Sequence, residues 1–366
     1  MNVLLISSHG QIGWGGQESI LALAEGLNSE EFTPHVVVPS DKGGMLERIE
    51  EKALCVKVIE FPRVLDFHVV KKAKALWNLF RLVKNLDIQI IHTDGPRNTF
   101  YAGIVAHMRK IPLVWHVRTA EADRYDLLLY YMANRIVVVA EAVKKRFNKI
   151  GNDRKISTIY NGVDTCHFKK KKEKGFIRQK YGISDTDLLI TVVGRIEPPK
   201  GQVDMVEACG KIRDKIGNFK VLLVGDVVDY DYLQECLKKA EELRLSDQII
   251  VAGYISRISQ VLNESDIFVL PSITEAFPRS VIEAMAVGVP VIVTDVGGCP
   301  EAVEENISGF LVPPGDPDIL AGKILLLKQD SNLREKFSRA GQNRIKKRFC
   351  IQEHVEQIQL LYRELA

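Results

Sequence analysis

The 366-residue sequence has no apolar run near the 18 or so residues that a membrane span requires. An integral membrane protein is thereby set aside, and any membrane contact is peripheral. There is no Cys-x-x-Cys pair. The six cysteines, Cys55, Cys166, Cys209, Cys236, Cys299 and Cys350, do not stand beside histidines at zinc-finger spacing. That pattern reads as reduced, buried thiols of a cytosolic protein. The opening "NVLLIS" is too short for the apolar segment of a secretory signal and lacks a basic leader and a cleavage site, in keeping with the same compartment. A net charge of only +3 gives no ground for a nucleic-acid partner. The first 166 residues hold a small excess of Lys and Arg while the remainder is near balance, a weak pointer to something anionic facing the first half. Low-complexity tracts and short internal repeats are missing as well.

What is present is ordinary globular material, too much of it for one core. Hydrophobic residues make up 46% and charged residues 27%, and 366 residues suit two domains with well-buried interiors. "VLLIS" (3–7), "HVVV" (35–38), "IQIIH" (88–92), "PLVWHV" (112–117) and "RIVVVA" (135–140) read as strands. Helical stretches lie between them at 16–27, 44–53, 69–86, 97–109 and 141–150. Unbroken Val/Ile/Leu runs predict strands covered on both faces, hence a parallel sheet. The pattern then restarts with strands at 188–194, 220–225, 248–253, 266–271 and 290–295, and helices at 201–216, 230–243, 256–263, 279–287, 317–328 and 331–348. This alternation predicts an α/β chain with two doubly wound sheets in series. The domains are expected over 1–165 and 166–345. A linker falls within 162–187, where "KKKKEKG" (169–175) reads as a solvated edge, with a phosphate or lipid patch as the alternative. The amphipathic end, 346–366, either finishes the second domain or crosses back to the first; the crossing is the expectation.

Open parallel sheets bind ligands at the carboxyl ends of their strands. The loop after the first strand, "SSHGQIGWGGQES", falls short of a dinucleotide fingerprint. Counted from Gly13, Gly15 fits, but the sixth position is Glu18 where a small residue is needed. Gly15-Gly16 still feeds a helix N-terminus that can offer amides to an anion; a merely flexible turn is the alternative. In "GRIEPPKG" (194–201), Arg195 and Lys200 suit a diphosphate, the arginine bidentately and the lysine as a point charge. Local pairing with Glu197 is the competing use.

"TEAFPRSVIEAMAVGVPVIVTD" (274–295) carries Glu275 and Glu283. On one helix their spacing would amount to about 800° of rotation and about 12 Å of rise, so they would not meet one small group. Pro278 between them belongs at a helix start. Glu275 is then in a loop and Glu283 inside the helix. Such a pair can address two ends of one extended ligand: Glu283 a vicinal diol such as a ribose, Glu275 hydroxyls at the far end, and the helix N-terminus a phosphate between them. The alternative is an acidic loop followed by an ordinary surface glutamate.

At this point the sequence resembles the retaining GT-B glycosyltransferases of family 4. "EAFPRSVIEAMAVGVPVIVTDVGGCPE" is similar to the family's E-x7-E signature, "GRIEPPKG" to its Arg-x4-Lys clamp, "GGQES" to its glycine loop and "YNGVD" (160–164) to its interdomain motif. The resemblance implies two Rossmann-like doubly wound parallel-sheet domains facing a cleft. It implies transfer of a sugar from a UDP-, GDP- or ADP-sugar to an acceptor hydroxyl, with no cofactor and no bound metal. Arg195 and Lys200 would neutralise the leaving diphosphate, Glu275 contact the transferred sugar and Glu283 the ribose. Gly15, Gly16 and the stretch Ala276, Phe277, Pro278, Arg279 and Ser280 would also line the donor. His116, in "VWHVR", is carried over as an active-site histidine, and Asp94, Arg97 and Asn98 in "HTDGPRN" as acceptor contacts. The family commonly has Glu-Gly-Phe-Gly where this chain has Glu275-Ala-Phe-Pro, and Pro278 has no amide to donate.

The resemblance also implies glycan or lipid-linked acceptors. The basic stretch "KKAKALWNLFRLVKN" (71–85) is weighed as a peripheral membrane contact on the inner face of the membrane against a helix that packs Leu76, Trp77, Phe80 and Val83 inwards. The packed helix is the expectation. "DYD" (229–231) reads as a helix cap rather than a metal site. Rival functions on the same fold are a nucleotide-sugar epimerase and a non-catalytic nucleotide-sugar-binding protein.

Overall fold

The computed structural model describes all residues except Ile12, Trp14, Ala53, Asn152 and 171–174. Most of the lysine-rich run, and two positions of the loop after the first strand, lie outside the described residues. The chain divides into two compact units, Met1–Gly162 with Ile351–Ala366, and Val163–Cys350. These divisions fall before 165/166 and after 345/346. The helix Ser331–Arg348 runs on through 346, and Phe349 accepts a hydrogen bond from the Val163 amide at 2.8 Å within the second unit.

The first unit is built on strands β1 (Asn2–Ile6), β2 (Thr33–Val38), β3 (Cys55–Val58), β4 (Ile90–Thr93), β5 (Leu113–Val117), β6 (Arg135–Val138) and β7 (Ile156–Thr158). They form one parallel sheet in the order β3-β2-β1-β4-β5-β6-β7. One face is covered by the helices Gly15–Gly26 and Ile351–Leu365, the other by Val69–Asn85 and Pro96–Arg109. Burial on both faces is why these strands are continuous apolar runs. The terminal helix contributes Val355, Ile358, Leu361 and Tyr362 to the first core. Each such side chain stabilises by about 1.5–3 kcal/mol when fully buried, enough to anchor the helix.

The second unit has β8 (Leu188–Val193), β9 (Phe219–Val224), β10 (Ile249–Gly253), β11 (Ile267–Leu270), β12 (Val291–Thr294) and β13 (Gly309–Val312). Their order is β10-β9-β8-β11-β12-β13, again parallel. The helices Gln202–Ile216, Tyr230–Glu242 and Pro317–Gln329 cover one face, Phe176–Lys180 and Ile258–Glu264 the other. The strand order reverses direction once in each sheet, between β1 and β4 and between β8 and β11. Those two switch points are where such sheets bind ligands.

Several expectations change. β3, β7 and β13 are strands that apolar runs did not signal; all are short, lie at sheet edges, and β3 is largely exposed. The stretch 141–150 is helical only over Glu141–Lys144, with a 3₁₀ turn to Phe147. Cys55 and Cys166 are exposed and Cys350 half-buried, so only Cys209, Cys236 and Cys299 are buried thiols. Within Val69–Asn85 the buried stripe is Ala75, Leu79 and Val83, while Trp77 stays 60% exposed. Trp77 sits on the side of the helix away from that stripe and rests on Phe80 at 6.3 Å. Asp229 caps its helix, its Oδ1 accepting the Tyr232 amide at 3.0 Å. Among the described residues no helix is long and apolar enough to cross a membrane.

Candidate active site

The second switch point brings together the loops after β8 and β11. The chain leaves β8 through Gly194 and turns at Pro198–Lys200, and Gly201 then adopts φ +65°. A Cβ there would lie 2.0 Å from the Pro271 carbonyl oxygen, so only glycine lets the two loops meet. The Ile273 amide donates to the Pro199 carbonyl at 2.8 Å and ties them. The loop after β12 closes over the same region. Gly297, at φ +51°, would place a Cβ 1.6 Å from the Glu275 carbonyl oxygen, and the Gly298 amide donates to the Ala276 carbonyl at 3.1 Å. Thr294 Oγ1 donates to the Ser272 carbonyl at 2.5 Å.

This framework holds Lys200 and Glu275 in contact. Lys200 Nζ donates to Glu275 Oε1 at 2.6 Å, and Ser272 Oγ donates to the same oxygen at 2.9 Å. Their side chains are 18% and 11% exposed, so this pair is far less screened than a surface ion pair. Cys299 lies close by; burial pushes its thiol well above the ordinary range, and the Glu275 charge adds to that while Lys200 opposes it. Arg195 pairs with Glu197 of its own loop at 2.7 Å and is 40% exposed. Its backbone carbonyl is held by Gln202 Nε2 at 2.8 Å. The pairing with Glu197 that competes with ligand binding is therefore present, while Lys200 reaches across to the other loop.

Pro278 caps the helix Arg279–Val287, and its carbonyl accepts the amides of Val281 and Ile282. Phe277 is buried and packs on Phe349 with ring centroids 5.5 Å apart, anchoring the loop. Ser280 is half-buried in the first turn, where amides lack intrahelical partners. Glu283 lies one turn into the helix and pairs with Arg279 at 3.4 Å, both mostly buried. Glu275 and Glu283 thus stand in a loop and in a helix, each beside a cation.

The first switch point joins the loops after β1 and β4. Gly15 starts a helix at an exposed position and Gly16 follows. Glu18 receives the Gly13 amide at 3.3 Å and pairs with Arg48 at 2.6 Å, so the residue that breaks the dinucleotide fingerprint steadies the loop instead. Asp94 is 8% exposed, and its Oδ2 lies 3.5 Å from where a Gly16 Cβ would be. Burial pushes its carboxyl up to about 6, against the charge of Arg118 and the influence of Ser8. Neither Asp94 oxygen makes a hydrogen bond of ordinary geometry among the described residues. Asn98 is buried and donates to the Ser7 carbonyl at 2.5 Å, a tie between the helix Pro96–Arg109 and the end of β1. Arg97 is exposed.

His116 is fully buried within β5, with Nδ1 3.1 Å from His92 Nε2 and 3.2 Å from Arg118 NH2. Its pKa lies well below the ordinary value, through burial first and the Arg118 charge second. Arg118, two residues on, is the half-buried group whose Cδ comes 3.4 Å from the Gly16 Cβ position. It also donates to Asn161 Oδ1 at 2.9 Å. Sequence reasoning passed over Arg118. The available signal was strand alternation, which sets residues two apart on one side.

Comparison with known proteins bears on the family and the fold. The family model described as "Glycosyl transferases group 1" matches residues 173–344, and "Glycosyltransferase Family 4" matches 14–166. Among curated relatives, a UDP-Gal:alpha-D-GlcNAc-diphosphoundecaprenol alpha-1,3-galactosyltransferase of Escherichia coli is 26% identical, over 96% of this chain and 94% of its own. The capsular polysaccharide biosynthesis glycosyltransferase CapM of Staphylococcus aureus is 25% identical, over 92% and 91% respectively. The solved structure of Anabaena HepE in complex with UDP superposes with a TM-score of 0.87 over the whole of both chains at 22% identity, a likeness of fold. The two family models together span most of the sequence, and the chain belongs to the family 4 glycosyltransferases and has their GT-B fold.

Proposed function

We propose that this glycosyltransferase moves a sugar from a nucleoside-diphosphate donor to a hydroxyl of a glycan or lipid-linked acceptor, with retained anomeric configuration and without a bound metal. The observation that carries the reading is the Lys200–Glu275 pair at the second switch point. A lysine ammonium has three donors, so Lys200 can hold Glu275 and still meet a phosphate oxygen. Arg195 adds a second cation once the diphosphate competes with Glu197. Glu275 takes the hydroxyls of the transferred sugar, and Glu283 those of the ribose. In the transfer the anomeric C–O bond to phosphate breaks and its electron pair leaves with the diphosphate. The acceptor oxygen bonds to the same face of the anomeric carbon, and its proton passes to the leaving phosphate oxygen. Stabilising the growing charge on that oxygen is the main task of the protein. In the first unit, Gly15 and Gly16 offer a helix start to an anion, and Asp94 is assigned to the acceptor. The Escherichia coli relative is named for a lipid-diphosphate-linked GlcNAc acceptor, and that class is proposed here.

The test is transfer from UDP-, GDP- and ADP-sugars to a short-lipid GlcNAc-diphosphate, with and without EDTA, the product's anomeric configuration being read by NMR. An inverted product, or activity abolished by EDTA and restored by magnesium, would remove the corresponding part of the proposal. Nucleotide release that does not respond to acceptor would favour an epimerase.

A peripheral membrane role is proposed for the face around Val69–Asn85. That helix contains no acidic residue, and Lys71, Lys74, Arg81 and Lys84 are exposed together with Val70 and Trp77. Phe67, just before it, is fully exposed. Apolar side chains among lysines suit an anionic bilayer surface, each nearby cation adding about 1 kcal/mol. The chain should co-sediment with phosphatidylglycerol vesicles and not with phosphatidylcholine, and Phe67→Ser with Trp77→Ser should weaken that binding. Equal recovery with both lipids would end the idea.

A further inference from the structure

One polar network in the first unit is not accounted for by these roles. Tyr362 Oη stands 2.6 Å from His92 Nδ1, His92 Nε2 is 3.1 Å from His116 Nδ1, and Arg118 NH2 reaches the same Nδ1 at 3.2 Å. Arg118 NH1 donates to Asn161 Oδ1 at 2.9 Å. Ser19 Oγ lies between that oxygen, at 3.3 Å, and the Gly15 carbonyl, at 2.8 Å. The chain of contacts thus runs from the terminal helix, under the sheet face, to the start of the helix Gly15–Gly26. Tyr362, His92 and His116 are all buried.

The chemistry allows one proton arrangement. A guanidinium only donates, so His116 Nδ1 is an acceptor and the neutral ring carries its proton on Nε2. His92 Nε2 faces that lone pair and carries a proton; its Nδ1 is then an acceptor, and the Tyr362 hydroxyl donates to it. Burial favours the same state, holding His92 down at about 3 and His116 well below its usual value, with the Arg118 charge adding to both. A proton on His116 Nδ1 would face the guanidinium and displace it.

We propose that Arg118 and Asp94 form a sugar-hydroxyl-binding pair in the first unit, and that His116, His92 and Tyr362 are positioning residues that hold Arg118 for it. The proposal rests on the acceptor reading above. The two side chains come from the ends of different strands and approach one point beside Gly16, Arg118 Cδ at 3.4 Å and Asp94 Oδ2 at 3.5 Å. The Asp94 carboxyl is buried with Ser8 and its own amide as its near donors, none of them at ordinary hydrogen-bond geometry, and its oxygens keep lone pairs for a further donor. A hydroxyl both donates and accepts: it gives its hydrogen to Asp94 and accepts from Arg118. A phosphate would suit the guanidinium but be repelled by the carboxylate. The groups bearing on Asp94 are the Arg118 charge, the Ser8 hydroxyl and the helix start at Gly15–Gly16, with His92 and His116 neutral behind Arg118.

Two readouts test this. Imidazole ¹⁵N spectra of the whole chain should show His116 as the Nε2–H tautomer between about pH 5 and pH 8. Kinetics with the GlcNAc-diphospho-lipid should show Arg118→Gln and Asp94→Asn each raising the acceptor KM by about tenfold, the factor for one hydrogen bond to a charged group, with donor KM little changed. His116→Leu should match Arg118→Gln. His116→Asn, whose Oδ1 can stand where Nδ1 stood, should restore most of the affinity. Tyr362→Phe should raise acceptor KM in the wild type and have no further effect beside Arg118→Gln. A proton on His116 Nδ1, or a Tyr362→Phe effect that persists in the Arg118→Gln background, would overturn the positioning chain. Unchanged kinetics in both Arg118→Gln and Asp94→Asn would overturn the hydroxyl pair and leave the transferase reading intact. A wild type that glycosylates no acceptor counts against that earlier reading, and the spectra then decide the positioning chain alone.

Discussion

The two units share one order of six strands, to which the first adds β7, but fill their switch points differently. In the second, a lysine from one loop meets a glutamate from the other at 2.6 Å, and glycines with positive φ let the loops interlock. The charges are balanced before any ligand arrives. In the first, a carboxylate is buried without ordinary hydrogen bonds among the described residues, and the cation beside it is held from behind by neutral imidazoles. The same sheet thus serves two electrostatic tasks. The paired corner is suited to a ligand that brings its own negative charge, which redistributes an existing ion pair. The other, where Arg118 stands beside Asp94 without the short ion pair of the second corner, is suited to an uncharged hydroxyl, which adds a donor for the carboxyl and an acceptor for the guanidinium. The difference lies in the loops after the strands, not in the sheets.

The largest effect that would break this comparison is expected at Lys200. Lys200→Met removes the cation and leaves Glu275 mostly buried beside Ser272 alone. Turnover should fall by roughly 10²–10³, the range for losing one preorganised charge-stabilising group. Arg195→Met should lower turnover too but cost less stability, since Arg195 is 40% exposed and its partner Glu197 belongs to the same loop. Steady-state rates and melting temperatures of the two variants decide it. Wild-type turnover in both would sink the donor assignment.

A second effect concerns how the loops interlock. Gly297→Ala would set a Cβ against the Glu275 carbonyl, at a φ that side chains rarely adopt. The strained backbone alone costs about 1–3 kcal/mol, and the clash adds to it by pushing Glu275 out of place. Gly217 has a similar φ of +73° with nothing near its Cβ position, so Gly217→Ala carries only the backbone cost. The comparison to make is nucleotide affinity. Gly297→Ala should lose it, while Gly217→Ala should keep it and only lower the melting temperature. Equal losses in both would mean that the Gly297 contact does not shape the site.

Much of this was legible in the chain because parallel strands buried on both faces leave unbroken apolar runs. The meeting of Lys200 and Glu275 at the second switch point was the more legible arrangement because the residues sit on two short segments with fixed spacing: Arg195 to Lys200 and Glu275 to Glu283. Pro278 separated loop from helix by covalent geometry alone. The short edge strands β3, β7 and β13 were not legible, since an edge needs no continuous apolar run. The exposure of Trp77 was missed because a helix with apolar residues on two sides does not say which side the core takes. The first site was the least legible. Tyr362, His92, Arg118 and Asn161 are scattered along the chain, and only the fold reveals that they touch. His116 was legible as a histidine at a strand end, and only the fold shows its Nδ1 engaged by His92 and Arg118.

The smallest effect separates the units by pH. His92 and His116 remain neutral in the folded first unit at pH values where an unfolded imidazole takes a proton, and His35 is lowered by burial in the same direction. A folded pKa below the unfolded one gives stability that is present above about pH 6.5 and lost as pH falls towards about 3. Asp94 acts with the opposite sign. Its carboxyl, at about 6 when folded against an ordinary 3.8, holds a proton that the unfolded chain has released, so it favours the fold as pH falls between those values. Three imidazoles outweigh one carboxyl, and the net is acid destabilisation of the first unit beginning near pH 6.5. Each fully neutral imidazole contributes up to about 1.4 kcal/mol per pH unit. The second unit holds one histidine, His167, which meets Ser259 Oγ at 3.2 Å. Trp77 and Trp115 belong to the first unit and the second unit contains no tryptophan in its sequence, so urea unfolding followed by tryptophan fluorescence reports on the first separately. The fluorescence midpoint should fall between pH 7 and pH 5, and Asp94→Asn should steepen that fall by removing the opposing group. A midpoint that does not move over this range would mean that the imidazoles take up protons in the folded state, and Arg118 would then have no neutral acceptor to hold it.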